Sequence, residues 1–375
     1  METVRVAIVN TGWWADAMYL PALTAHPHVE ITAVCGRNPQ KAADFAAKWN
    51  VPQYFTDYEQ MLSADVCDAL IVATNNETHH PITMKAIAHG LHVLCEKPLA
   101  LTVQEADEMT RAAKAKGIST LVPFTYRFLP HARYIKHLID TGYIGTPYHL
   151  NIRYYHAFGR TPGYAWGWDA DQIRAGDIAN LASHPIYLAR WYFGEIKSVM
   201  AELNQSVDRG QLTPEGKPFK AADDNGVLLL RFESGAVGTI HYSSVALEKS
   251  CFDQHHSMEF HGEAGTIYFE NDWVKKQETR GLRKGEYHLN KLSPPAEFWG
   301  QANFESVHKS YKAVFREDRY MIGEFIDKIL GHPIKSATPL PTFEDGLAVQ
   351  RVIEAALFSN NEGRRVRLSE ITEAN

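Results

Sequence analysis

The sequence predicts two domains, an α/β unit built on a parallel sheet followed by an α+β unit whose sheet is mostly antiparallel. Three observations carry that reading. Short runs apolar on both faces alternate with helical stretches through the first third of the chain, a glycine-bearing turn follows the first run, and after about residue 124 longer strands joined by tight turns take over. Runs apolar on both faces belong to a parallel sheet covered by helices on either side. Length agrees, because 375 residues exceed the ~250 to 300 at which a single core stops growing.

The strands of the first unit are Val4 to Val9, Val29 to Val34, Ala69 to Ala73, His92 to Cys95 and Ile118 to Val122. Between the last two, Thr102 with Glu105 three residues on has the spacing of a capping box, and Gly117 ends the helix. This domain spans 1–124 and the second 125–375. There, Val227 to Phe232 and Val237 to Ser243 flank the turn Glu233-Ser234-Gly235-Ala236, and Ser257 to Phe269 folds around Gly262-Glu263-Ala264-Gly265, so both read as hairpins. Thr342 and Asp345 open a helix over about 342–358 with a stripe of Val349, Val352, Ile353, Ala356 and Leu357, expected to pack back on the first domain. Asn271 to Pro295, charged and rich in turn formers, reads as an exposed excursion.

Composition narrows the function class. A formal charge of −6 argues against nucleic-acid or membrane partners, which need a concentrated basic face. Cys35, Cys67, Cys95 and Cys251 show no C-x-x-C spacing, so neither a zinc knuckle nor a disulfide framework is supported. Reduced thiols, no basic leader and no apolar run near ~18 residues point to a cytoplasmic protein.

The first strand ends Val9-Asn10-Thr11-Gly12-Trp13-Trp14-Ala15. This is the G-x-G-x-x-G/A pattern of a dinucleotide-binding Rossmann turn with Asn10 in the first glycine's place. Gly12 lets the backbone approach a pyrophosphate, and the helix N-terminus supplies dipole and N–H donors. Asn10 is tolerable because Asn visits left-handed conformations more readily than most residues. The second strand ends Val34-Cys35-Gly36-Arg37-Asn38, without the acid that accepts from the ribose of NAD. Arg37 and Lys41 suit a 2'-phosphate, so NADP(H) is favoured over NAD(H), although an Arg there also stacks on adenine in enzymes using either.

The segments Ala73-Thr74-Asn75-Asn76-Glu77-Thr78-His79 and Cys95-Glu96-Lys97-Pro98 strongly resemble the Gfo/Idh/MocA oxidoreductase family. Tyr126-Arg127-Phe128-Leu129-Pro130, Ile144-Gly145, Ala182-Ser183-His184, Leu188-Ala189-Arg190-Trp191 and the tail Ser359 to Val366 are similar too, so the resemblance covers nearly the whole chain. It implies a Rossmann domain plus an open-faced, mostly antiparallel sheet that carries the contact of a homodimer or homotetramer, with the active site in the cleft between the domains. It implies cofactor contacts at Gly12, Trp13, Trp14, Arg37, Asn38, Lys41, Thr74, Asn75, Asn76, His79, Glu96, Lys97 and Arg127.

The resemblance also implies a reaction, hydride transfer between nicotinamide and a carbinol of a sugar, inositol or sugar derivative. Lys97 matches the family's catalytic lysine, and a cation at a strand's carboxyl end can stabilise developing alkoxide. His184 matches the histidine that contacts the reacting hydroxyl, and an imidazole can take its proton. Family members often carry Asp four residues before and three after this histidine, and those positions here are Asn180 and Tyr187. Asn cannot accept the proton. Asp177 shares a face with Asn180 if the segment is helical, and otherwise caps a surface turn.

Tyr126, Tyr154, Tyr155, Phe158, Tyr164, Trp166 and Trp168 crowd the region where sugar-stacking rings are expected. Tyr126, Tyr155, Trp166, Trp168, Asn180 and His184 are the candidate substrate contacts, with Arg153, His156 and Arg160 for an anionic substituent. Two other outcomes stay open. A glycosidase would use transient oxidation and elimination with no net redox change, and a dinucleotide sensor would not react at all.

Overall fold

The computed structural model describes the chain apart from residues 1, 161–175, 211, 213–215, 217, 219, 248–253, 274–275, 300–319, 335–337 and 372–375. It divides into two compact units, Met1–Thr125 with Lys312–Leu347, and Tyr126–Tyr311 with Ala348–Asn375.

The first unit holds β1 Val4–Val9, β2 Val29–Cys35, β3 Gln53–Phe55, β4 Ala69–Val72, β5 His92–Cys95 and β6 Thr120–Leu121. They pair in the order β3-β2-β1-β4-β5-β6, every neighbour parallel. This is the doubly wound order, whose reversal between β1 and β4 opens a crevice at the strands' carboxyl ends. The apolar runs of β1 and β4 are buried on both faces, as a parallel sheet between helix layers requires. The predicted cap forms in part: Thr102 Oγ1 accepts the Glu105 N–H at 3.2 Å, while the Glu105 carboxylate accepts the N–H of Leu101, one residue before the cap, at 3.0 Å. Gly117 ends that helix in the left-handed conformation.

Residues of the returning segment join this core. Pro341 C=O accepts the Val122 N–H at 2.8 Å, Phe343 C=O accepts from Thr110 Oγ1 at 3.2 Å, and a side chain on Gly346 would strike Leu99 and Val122. Thr342 donates its N–H to Asp345 at 2.8 Å and opens the helix Phe343–Glu362.

The second unit holds β7 Pro147–His156, β8 Ile196–Asn204, β9 Asn225–Phe232, β10 Val237–Ser243, β11 Gln254–Gly262, β12 Gly265–Asn271, β13 Gln277–Arg283, β14 Asn290–Lys291 and β15 Val366–Arg367. Among the described residues they form one sheet, β14-β13-β12-β11-β7-β10-β9-β8-β15. Only the β7–β10 pair there is parallel. Both expected hairpins are present as β9–β10 and β11–β12. Leu150, Ile152 and Tyr154 of β7, Leu228 and Leu230 of β9, and Met258 and Phe260 of β11 are buried on one face. The helix Ser183–Phe193 packs there, with Phe193 ring centroids 5.6 and 6.1 Å from Phe232 and Phe260. The opposite face carries Arg153, Tyr155, His241 and Glu259, together with the exposed apolar side chains Met200, Val227, Leu229 and Val237.

One expectation fails. Asn271 to Pro295 is not a simple exposed excursion, because β13 lies inside it and pairs with β12 along seven residues. Its buried positions, Gln277, Thr279 and Gly281, are polar or lack a side chain, so hydrophobic alternation never marked the strand. Thr279 Oγ1 meets the buried His131 Nδ1 at 2.7 Å. That hydrogen bond stands where an apolar contact was sought.

Candidate active site

The dinucleotide turn follows β1. Asn10 replaces the first glycine and uses its amide to hold the turn, donating to Ala73 C=O at the end of β4 and accepting the Gly12 N–H. The substitution therefore ties the turn across the switch point. A Cβ at Gly12 would lie 2.8 Å from Asn10 Oδ1, and one at Gly36 would lie 2.7 Å from Thr11 Cγ2. Side chains of the turn already fill the space at both positions, so only glycine fits and the bare backbone that a pyrophosphate approaches is kept; the residues present fit a bound dinucleotide. Past the turn, Ala15–Tyr19 is a π-helical stretch; such stretches are rare and frequent at functional sites.

Other expected cofactor residues share this edge of the sheet. Arg37, Asn38 and Lys41 are exposed beyond β2, where Asn38 caps the next helix by accepting the Lys41 N–H at 2.9 Å. Thr74 lies beyond β4, Asn75 stands at the N-cap position of the helix Asn76–Ala88, and Asn76 is buried in its first turn. Trp13 is 56% exposed, and its ring centroid is 5.6 Å from that of Trp14. His79 differs in kind, being fully buried with ring nitrogens 2.9 Å from Pro98 C=O and 3.1 Å from Thr74 C=O. Burial pushes its pKa down. It braces the two loops and presents no surface to a ligand.

Beyond β5, Glu96 is buried and Lys97 half-buried, and the Lys97–Pro98 bond is cis. Glu96 accepts from the Trp14 indole, the Tyr19 hydroxyl and, at 3.0 Å, the Lys97 backbone N–H.

In the second unit, His184 is 6% exposed in the first turn of Ser183–Phe193. Its ring centroid lies 4.5 Å from that of Tyr126, whose hydroxyl is 2.6 Å from that of Tyr154. His256, missed by sequence reasoning, stands with Tyr126 and Tyr154 at 4.7 and 4.0 Å between centroids. Burial, then the neighbouring His255 and His156, depress its pKa well below the usual imidazole value. Tyr126, Tyr154, Pro185, Leu188 and His256 line a small cavity. His256 sits in β11 at an inward position paired with Tyr154, a register across about a hundred residues that no local sequence signal announces.

Asp177 is buried in the short helix Gly176–Asn180, so the surface-cap reading is excluded, and Asn180 is half-buried at its end. Sequence reasoning also missed Asp223, which accepts from Tyr242 Oη at 2.6 Å and from the Ile178 N–H at 2.8 Å. The residue keeps some surface, but its carboxylate is enclosed. Burial raises its pKa to about 7, assisted by the charge of Asp224 and opposed by both hydrogen bonds. Asp224 forms a buried ion pair with Arg209 at 3.4 Å.

Four of the expected contact residues are engaged by neighbours within the second unit. Tyr155 projects from the opposite face of β7 to Tyr154 and His156, since successive side chains alternate, and its hydroxyl is 2.6 Å from His241 Nδ1. Arg153 shares that face and reaches Glu259 at 3.4 Å. Arg160 is exposed and donates to Val245 C=O at 3.1 Å. Arg127, expected on the cofactor, is 3% exposed and donates to Tyr187 Oη, with its guanidinium 4.8 Å from the Trp191 ring centroid. The phenol of Tyr187 is thus the arginine's acceptor. His156 is buried, and its Nδ1 accepts the Phe158 N–H at 3.3 Å. Tyr164, Trp166 and Trp168 lie outside the described residues, as does Cys251.

Two family models match. "Oxidoreductase family, NAD-binding Rossmann fold" fits residues 4–124 and "GFO/IDH/MocA C-terminal domain" fits 132–268, together more than half the chain. The chain belongs to the Gfo/Idh/MocA oxidoreductase family. Among curated relatives of this family member, scyllo-inositol 2-dehydrogenase (NADP(+)) of Bacillus subtilis is 26% identical over 84% of this chain and 92% of its own. Levoglucosan dehydrogenase of Pseudarthrobacter phenanthrenivorans is 28% identical over 72% and 74%. A solved levoglucosan dehydrogenase in complex with NADH and levoglucosan superposes with a TM-score of 0.81 at 22% identity, covering 98% of this chain and 99% of that one. That likeness shows the fold. No helix among the described residues is long and apolar enough to cross a membrane, and no group of three or more His, Cys, Asp or Glu among them could hold a metal ion.

Proposed function

We propose that this oxidoreductase reversibly oxidises a secondary alcohol of a sugar, inositol or sugar derivative, with NADP(H) preferred over NAD(H). The observation that carries the reading is Lys97 at the carboxyl end of β5, on the sheet edge that holds the Gly12 turn. When bound there, the nicotinamide supplies the hydride acceptor. Lys97 holds the carbinol oxygen and stabilises its developing negative charge. His184 takes the hydroxyl proton, Asn180 orients a neighbouring hydroxyl, and Asp177, buried one turn before it, supplies the carboxylate that position 180 lacks. The two relatives named above act, by their names, on an inositol and on an anhydrosugar, which supports this substrate class. The glycosidase outcome finds no support among them.

Arg37 and Lys41, exposed beyond β2 with no acid at its end, support the NADP(H) preference. The exposed Met200, Val227, Leu229 and Val237 make the open sheet face the place for self-association, which light scattering after size exclusion reads directly. The central experiment is a panel of sugars and inositols with each cofactor. Turnover is expected with at least one polyol, with tighter binding of NADP than of NAD, and Lys97→Ala should abolish it while sparing cofactor binding. Undiminished turnover in Lys97→Ala refutes the catalytic assignment.

A further inference from the structure

Glu96 is 6% exposed, yet its carboxylate is met by neutral donors. One oxygen accepts from both the Trp14 indole and the Tyr19 hydroxyl, and the other accepts the backbone N–H of Lys97 at 3.0 Å. Trp14 and Tyr19 are five residues apart. On an α-helix that spacing turns two side chains roughly 140° away from each other. Here Ala15–Tyr19 is π-helical, with the Leu20 N–H donating to Ala15 C=O five residues back, and this wider turn brings positions five apart onto nearly the same side. The local backbone therefore aims both donors at one carboxylate oxygen.

We propose that Trp14 and Tyr19 are positioning residues for Lys97, acting through Glu96. The turn that receives the pyrophosphate and the loop that presents the lysine are thereby held as one piece. The inference rests on the reading of Lys97 given above. Hydrogen bonds to a charged group are stronger than neutral ones, and a carboxylate that loses such a donor while buried is poorly compensated. Without either donor Glu96 can rotate, and the backbone N–H at 97 loses its fixed acceptor. Burial also lifts the Tyr19 phenol well above its usual pKa, so it stays a donor throughout the neutral range.

The test uses the full-length chain as Tyr19→Phe, Trp14→Phe and Glu96→Gln, which keep ring or shape while removing donor or charge. Three quantities are read: acetylation of Lys97 by acetic anhydride, followed on its peptide by mass spectrometry; the Kd for NADPH by fluorescence; and kcat on the best polyol of the panel. The expected result is a change of about tenfold in Lys97 acetylation and a fall of about ten- to a hundredfold in kcat, the scale set by a small misplacement of a catalytic group. In Tyr19→Phe, whose ring is fully buried and outside the expected cofactor contacts, Kd for the cofactor should stay within about twofold. A merely structural bond would lower the denaturation midpoint and leave acetylation of the folded protein unchanged. Unchanged acetylation and kcat in both aromatic variants, with Lys97→Ala inactive, overturns the inference alone. Undiminished turnover in Lys97→Ala overturns the reading beneath it. Trp14 is only half-buried, so its variant decides the matter should Tyr19→Phe fail to fold.

Discussion

Asp223 should make the protein less stable as pH rises, and the size of the effect follows from its surroundings. Enclosure lifts its carboxyl from 3.8 to about 7 despite bonds from Tyr242 and Ile178. An acid raised in the folded state binds more protons there than in the unfolded chain between those two values. The slope of unfolding free energy with pH is then negative over that window. At about 1.4 kcal/mol for each pH unit between the two values, ionising Asp223 costs the folded state roughly 4 kcal/mol above pH 7, as an upper figure. Asp223→Asn keeps an oxygen for both donors and removes the charge. Urea unfolding of the wild type and this variant is to be compared from pH 4 to pH 8. The variant should be the less stable or equal partner at pH 4 and gain on the wild type by up to about 4 kcal/mol by pH 8. A stability difference that does not change with pH across that range refutes the reasoning.

Four further outcomes are expected. Tyr187→Phe removes the hydroxyl that accepts from buried Arg127 and should cost about 1 to 3 kcal/mol in urea unfolding. Asp224→Ala leaves Arg209 buried without its carboxylate and should cost about 3 to 5 kcal/mol by the same measurement, while Thr102→Ala, losing a helix cap, should cost only about 1 kcal/mol. Burial raises the thiol of Cys35 to about 11 and of Cys67 to about 12, and raises that of Cys95 further. At pH 8 a thiol-specific reagent should therefore leave all three unlabelled in the folded protein and label them in urea, as counted by peptide mass spectrometry.

Most of the first unit was legible because its signals are local. β1, β4 and β5 are apolar on both faces, and the Thr102–Glu105 box and Gly117 mark a helix within a few residues. The Gly12 turn was readable despite Asn10, although the bond from Asn10 to Ala73 spans 63 residues and no spacing announces it. Long-range pairing explains the remaining misses. Asp223 meets Ile178 across 45 residues, and His131 meets Thr279 across 148, so neither the carboxylate nor β13 had a periodic signature. Tyr155 was grouped with Tyr154 by adjacency, whereas a strand sends neighbours to opposite faces. The contacts of Arg127 with Tyr187 and Trp191 span about sixty residues and had no local signal either.

The position of β7 carries a consequence for how the second sheet is assembled. With β14 to β11 on one flank and β10 to β15 on the other, it divides nine strands into two groups of four. The hairpins on either side are local in sequence and can close early, but β7 lies 88 residues from its partner on β10, as Asn151 and Thr239 show. Non-local closure of that kind is slow. Until it happens, β10 and β11 each present an unpaired edge, the kind of surface that recruits other chains. Folding yield at high concentration should therefore depend on the strand at the centre of the sheet more than on any at its rim.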